Sequence, residues 1–149
     1  MIHPLWSIVP SGIWIGMIVS ISFMEAWMKF RAPGITLSSG LEIGKLVFSA
    51  LKKMEWVVAG IVCFLLLLSG KSSERRNMLV VVAVLVLALQ TVWLLPELDK
   101  RADRIIAGLP VGPSNLHVIF IACEVAKVVS LIVFTAIVQL RTVRKKIKT

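Results

Sequence analysis

The chain has 149 residues, enough for one domain and short for two. Apolar residues make up 58% of it and charged residues 17%, with a mean hydropathy of +0.91, which excludes an ordinary water-soluble globular surface. Lys and Arg number 17 against 8 Asp and Glu, for a formal charge of +9; these cations stand between long apolar runs, so the expected partner is the lipid bilayer and not nucleic acid.

Four windows approach the roughly 20 apolar residues that a spanning helix requires. They run from Leu5 to Met28, Met54 to Ser69, Met78 to Leu95 and Leu116 to Leu140. The middle two are short and need flanking helical residues to complete a span. The expected fold is all-α: a four-helix transmembrane bundle forming a single integral membrane domain over residues 1–149. The first window has neither a basic leader nor a small-residue cleavage site after it, and is read as a retained span. Pro10 either kinks that helix or marks its first turn. Gly12, Gly16 and Ser20 form a small-xxx-small stripe, a helix-packing feature that serves an intramolecular contact or a dimer.

Two amphipathic segments are expected on the non-cytoplasmic side. After the turn residues Ala32-Pro33-Gly34 and Ser38-Ser39-Gly40, apolar Leu41, Gly44, Val47, Phe48, Leu51 and Met54 recur at helical spacing, with Glu42, Lys45, Lys52 and Lys53 mainly on the other side. Between the third and fourth windows, Asp99, Lys100, Arg101, Asp103 and Arg104 accompany Leu98, Ala102, Ile105 and Ile106, closed by Gly108 and Pro110.

Four spans place both termini on the same side as the Lys71 to Asn77 loop. Each side of the membrane then carries eight cations. Those of the loop and tail, among them Lys71, Arg75, Arg76, Arg141, Arg144, Lys145, Lys146 and Lys148, lie in segments nearly free of acids, whereas the others sit in helices beside carboxylates. The positive-inside rule therefore puts both termini in the cytoplasm. Trp27, Trp56 and Trp93 each mark the outer end of a different window, the depth that indole rings prefer.

Polar residues gather toward that outer end. Glu25 lies just inside Trp27, Glu55 adjoins Trp56, Gln90 is about one turn below Trp93, and His117 opens the fourth window. Glu124 follows seven residues deeper, with Lys127 three further on. A charge near the bilayer centre costs at least about 2.5 kcal/mol, so Glu124 and Lys127 should face the bundle interior and can pair at i and i+3. That pair reads either as a structural ion pair between helices or as a proton or ion site. Glu25 and Glu55 read alone as boundary residues, and His117 as an interface residue. Together with Glu124 and Lys127 they form the candidate proton or ion site.

No spacing of these residues forms a recognised metal motif, and neither a metal nor a cofactor is expected. Cys63 and Cys123 both lie in apolar runs, which offers no disulfide framework; with Met24, Met28 and Met54 they read as bundle fillers in preference to copper ligands. No Ser/His/Asp set or phosphate-cradling glycine loop occurs, so an enzyme is the lesser expectation.

The segment from Phe23 to Leu37 (FMEAWMKFRAPGITL), then Ile43-Gly44-Lys45-Leu46-Val47-Phe48 and Leu95-Pro96-Glu97-Leu98-Asp99-Lys100-Arg101-Ala102, resembles a family of small bacterial four-helix integral membrane proteins of unknown function. The resemblance implies a bacterial inner membrane and four spans, and it carries no catalytic or ligand roles. The function expected from the residues is proton- or cation-linked translocation of a solute, with Glu124 as carrier, Lys127 as its charge partner, and Glu25, Glu55 and His117 as the entrance. Four helices enclose little room, which implies a homodimer or a membrane partner subunit. The alternative is a non-catalytic accessory or structural subunit whose polar residues specify helix pairing.

Overall fold

The computed structural model describes residues 4–69 and 74–147. The loop residues Lys71 and the terminal Lys148 fall outside them, and the side chains of Arg75, Lys145 and Lys146 are likewise outside the description. The architecture is all-helical, with four long helices and no strand among the described residues. Helix α1 opens with a 3-10 turn, Pro4–Ser7, continues as α-helix Ile8–Met17 and π-helix Ile18–Glu25, and ends in the short turns Ala26–Met28 and Lys29–Arg31. Pro10 falls in the first turn of its α-helical part, where a missing N–H costs no intrahelical bond.

A turn through Pro33 and Gly34, the latter at φ +83°, leads to α2, Leu37–Leu68. Thr36 caps α2: its side-chain oxygen accepts from the Ser39 N–H at 3.2 Å. The amphipathic segment expected before the second apolar window is thus the first half of one unbroken helix. Helix α3 is built from α-helix Glu74–Leu89, a π turn Gln90–Leu94 and α-helix Leu95–Ile106, and its last section is the second amphipathic segment. Gly108, at φ +69°, ends it: the Leu109 N–H reaches back to the Arg104 carbonyl at 2.9 Å, a closure that residues with a Cβ rarely permit. Helix α4 spans Leu116–Ile147, with the Ser114 hydroxyl accepting from the Leu116 N–H at its start.

Three of these helices are long and apolar enough to cross a membrane: Ile8–Arg31, Arg76–Ile106 and Leu116–Arg144. Helix α2 differs because Lys52, Lys53 and Glu55 interrupt its apolar run.

The helices bury two apolar cores. The larger joins Trp14 and Ile18 of α1, Val58 and Val62 of α2, Ala83 and Leu87 of α3, and Leu131 and Phe134 of α4. The smaller joins Leu94, Leu95 and Phe120, with Phe48 packed against them. Along each of α2, α3 and α4 the chain passes from one core to the other through a polar residue: Glu55, Gln90, and Glu124 with Lys127. A polar layer therefore divides the interior.

The stripe Gly12, Gly16 and Ser20 faces away from the other three helices. All three residues are exposed, and nothing lies within 4 Å of a Cβ built on Gly12 or Gly16. Of the two roles open to this stripe, an intramolecular contact or a dimer, the first is not made; the close helix approach within the chain is at Gly40 and Gly44 on α2. A Cβ on Gly40 would collide with the Phe30 ring, and one on Gly44 would lie 2.6 Å from the Lys29 ammonium. These glycines let the end of α1 lie against the α2 backbone.

Candidate functional site

The polar layer is a hydrogen-bonded cluster drawn from all four helices. Lys127, completely buried, places its ammonium 2.6 Å from Glu55 Oε1 and 3.1 Å from Glu124 Oε1. Gln90 donates its amide N–H to Glu124 Oε1 at 2.9 Å, and the Trp14 indole N–H donates to Glu55 Oε1 at 2.8 Å. Glu55, Gln90 and Glu124 are each 3% exposed or less. Local helix geometry explains the convergence. Glu124 and Lys127 stand three apart on one face of α4, and Gln90 opens the π turn of α3, a widened turn of the kind often found at functional sites.

The cluster's charge does not close. Two carboxylates face one ammonium, and Glu124 Oε2 and Gln90 Oε1 are buried without a hydrogen-bond partner. Unpaired polar atoms at such burial are costly. A void of about 10 Å³ touches Glu55, Gln90 and Glu124, room for roughly one water molecule. Phe48, Leu95 and Phe120 line this void and also line a cavity of about 160 Å³ between the end of α1 and helices α2, α3 and α4. Phe48 and Phe120 meet edge to face, with ring centroids 5.2 Å apart. Three apolar side chains thus separate the buried carboxylates from the cavity.

The structure brings together Glu55, Glu124 and Lys127 and leaves Glu25 and His117 apart. Glu55 is no boundary residue, because α2 extends 18 residues before it and carries it into the core. Glu25 lies 3.6 Å from Lys29, one helical turn on, and both its oxygens are enclosed without a hydrogen bond. His117 is exposed, its ring stacked near Phe120, and it lines the 160 Å³ cavity. Sequence reasoning noted Gln90 by depth without placing it in the site, and it missed Trp14. An indole in an apolar run looks like any core filler, and only its N–H partner distinguishes it. Among the described residues no group of three or more His, Cys, Asp or Glu is placed to hold a metal ion.

Comparison with known proteins yields no matching family model, no similar curated protein and no similar solved structure. The functional reading therefore rests on the chemistry of the site itself.

Proposed function

We propose that the chain is a four-span integral membrane protein of a bacterial inner membrane, both termini cytoplasmic, in which the Glu55–Glu124–Lys127 cluster takes up and releases a proton or small cation coupled to translocation of a solute. The observation that carries this reading is the excess carboxylate: two acids on one buried lysine, in a cluster that borders a water-sized void. An intramembrane acid is expensive to keep unless it is used or compensated. Glu124 is the carrier and Lys127 its counter-charge. Glu55 shares the ammonium and sets how firmly it holds Glu124. Phe48, Leu95 and Phe120 shield the cluster from the cavity, and His117 stands on the cavity side of that screen. The outward-facing Gly12, Gly16 and Ser20 stripe is open to a second copy of the chain.

A second reading is a structural accessory subunit, favoured by the fact that the bonded side chains come from four different helices, as a device for fixing helix pairing would require. Proton flux into vesicles containing the purified protein and an internal pH dye separates the two. Translocation predicts flux in the wild type and a folded, silent Glu124→Gln variant. A wild type that carries neither protons nor sodium under an imposed potential, with a Glu124→Gln variant that fails to assemble, overturns it.

A further inference from the structure

We infer that the cavity of about 160 Å³ is a binding site for a small amphipathic carboxylate, of the size of benzoate or hexanoate, with its anionic end on Lys29. The cavity is separate from the Glu55–Glu124–Lys127 cluster, and the inference does not depend on any role of that cluster in translocation.

The cationic end is built with care. The Lys29 side chain is only 9% exposed, seated on the bare backbone of Gly44 and held over the rings of Phe30 and Phe48 at 5.4 and 5.2 Å. Its one carboxylate neighbour, Glu25, is at 3.6 Å, beyond hydrogen-bonding distance, and among the described residues the ammonium makes no hydrogen bond. A lysine ammonium has three N–H donors, and at 3.6 Å Glu25 is too far to accept from any of them. Lys29 lines the cavity, so a ligand oxygen placed there would satisfy them. Of the two ammonium groups in the lining, Lys45 is held by Asp103, which leaves Lys29 as the cation with free N–H donors to offer a ligand.

The rest of the wall is apolar: Phe30, Phe48, Leu41, Leu98 and Phe120 provide aromatic and aliphatic surface. A few polar groups on an otherwise apolar lining are the usual composition of small-molecule sites. The volume is close to the roughly 150 Å³ that accommodates a benzene ring, which sets the ligand's scale.

Ligand-observed NMR on the full chain in phosphatidylcholine nanodiscs, where no anionic lipid competes, tests the inference with benzoate, hexanoate, neutral benzamide and benzylamine. Saturable benzoate or hexanoate binding is expected, with benzamide and benzylamine weaker by about tenfold or more. Lys29→Met keeps the stem and removes the charge, and should erase the preference for the acid. Because that variant alters a buried side chain, Ala102→Trp serves as a second probe: it fills the cavity from α3 while leaving the Lys29 charge in place, and should abolish binding while helicity is retained. Equal binding of acid and amide, preference for the amine, absence of saturation by either acid, or undiminished binding in folded Ala102→Trp would each overturn the inference.

Discussion

The ammonium of Lys127 lies 2.6 Å from the carboxylate of Glu55, a residue 72 positions away in sequence and on another helix. The same ammonium also serves Glu124, so one cation holds two acids inside the bundle. Removing it should be far more damaging than removing either acid. Lys127→Met leaves two buried carboxylates facing each other and is expected to cost about 3 kcal/mol or more. Adding Glu124→Gln to that variant should restore part of the loss. A double-mutant cycle from unfolding in mixed micelles checks this; strict additivity of the two substitutions would show that the pair does not interact.

Trp14 makes a narrower claim. Its indole N–H is the contact through which α1 joins the cluster, at 2.8 Å from Glu55. Trp14→Phe keeps most of the buried ring and removes the donor, so stability should fall by about 1 to 2 kcal/mol. In a Glu55→Gln background the same change should cost less, because a neutral acceptor forms the weaker bond. Equal costs in the two backgrounds would leave only packing at Trp14.

The two glycine pairs should behave oppositely. Gly40→Ala collides with the Phe30 ring, and Gly44→Ala collides with the Lys29 ammonium, the flexible end of a long side chain. Gly40→Ala is therefore the more disruptive, at about 1 to 3 kcal/mol, and should expose Phe30 further. Gly12→Ala and Gly16→Ala meet nothing within the chain. Each should leave monomer stability unchanged or improve it by up to about 1 kcal/mol through helix propensity. Thermal denaturation of the four single variants makes the comparison.

Lys45 links the amphipathic parts of α2 and α3 through an ion pair with Asp103. Chiefly through that hydrogen bond, Asp103 holds the Lys45 pKa above the ordinary lysine value. A raised folded-state pKa means the stabilisation is present in full below the ordinary value of about 10.4 and is lost as pH climbs through the raised one. The stability difference between wild type and Lys45→Met should therefore stay level from about pH 7 to 10 and shrink above that. It should also diminish with salt, since the pair is solvent-exposed. A difference that grew with pH would contradict the pairing.

Much of this architecture is legible in the sequence because hydropathy and the cost of intramembrane charge are strong signals. The apolar windows mark the helices, and Glu124 with Lys127 has to turn inward. Glu55 is harder to read, since Lys52 and Lys53 make it look like the end of an apolar run when it lies near the middle of a 32-residue helix. The packing glycines are hidden for another reason. Gly12-xxx-Gly16 and Gly40-xxx-Gly44 have the same spacing, and only the neighbour seated on each tells them apart. Neither the indole donor of Trp14 nor the π turn that starts at Gln90 has a local signature, because both arise from tertiary packing.

The most direct test is infrared difference spectroscopy of the full chain in lipid while pH is cycled. If the cluster exchanges a proton, a carboxylic-acid carbonyl band appears and disappears reversibly, and Glu124→Gln removes that band while the helical amide signal is unchanged. A Glu124→Gln difference spectrum identical to that of the wild type would mean that this carboxyl never changes state, and the cluster would then be an ion pair that only holds the helices together.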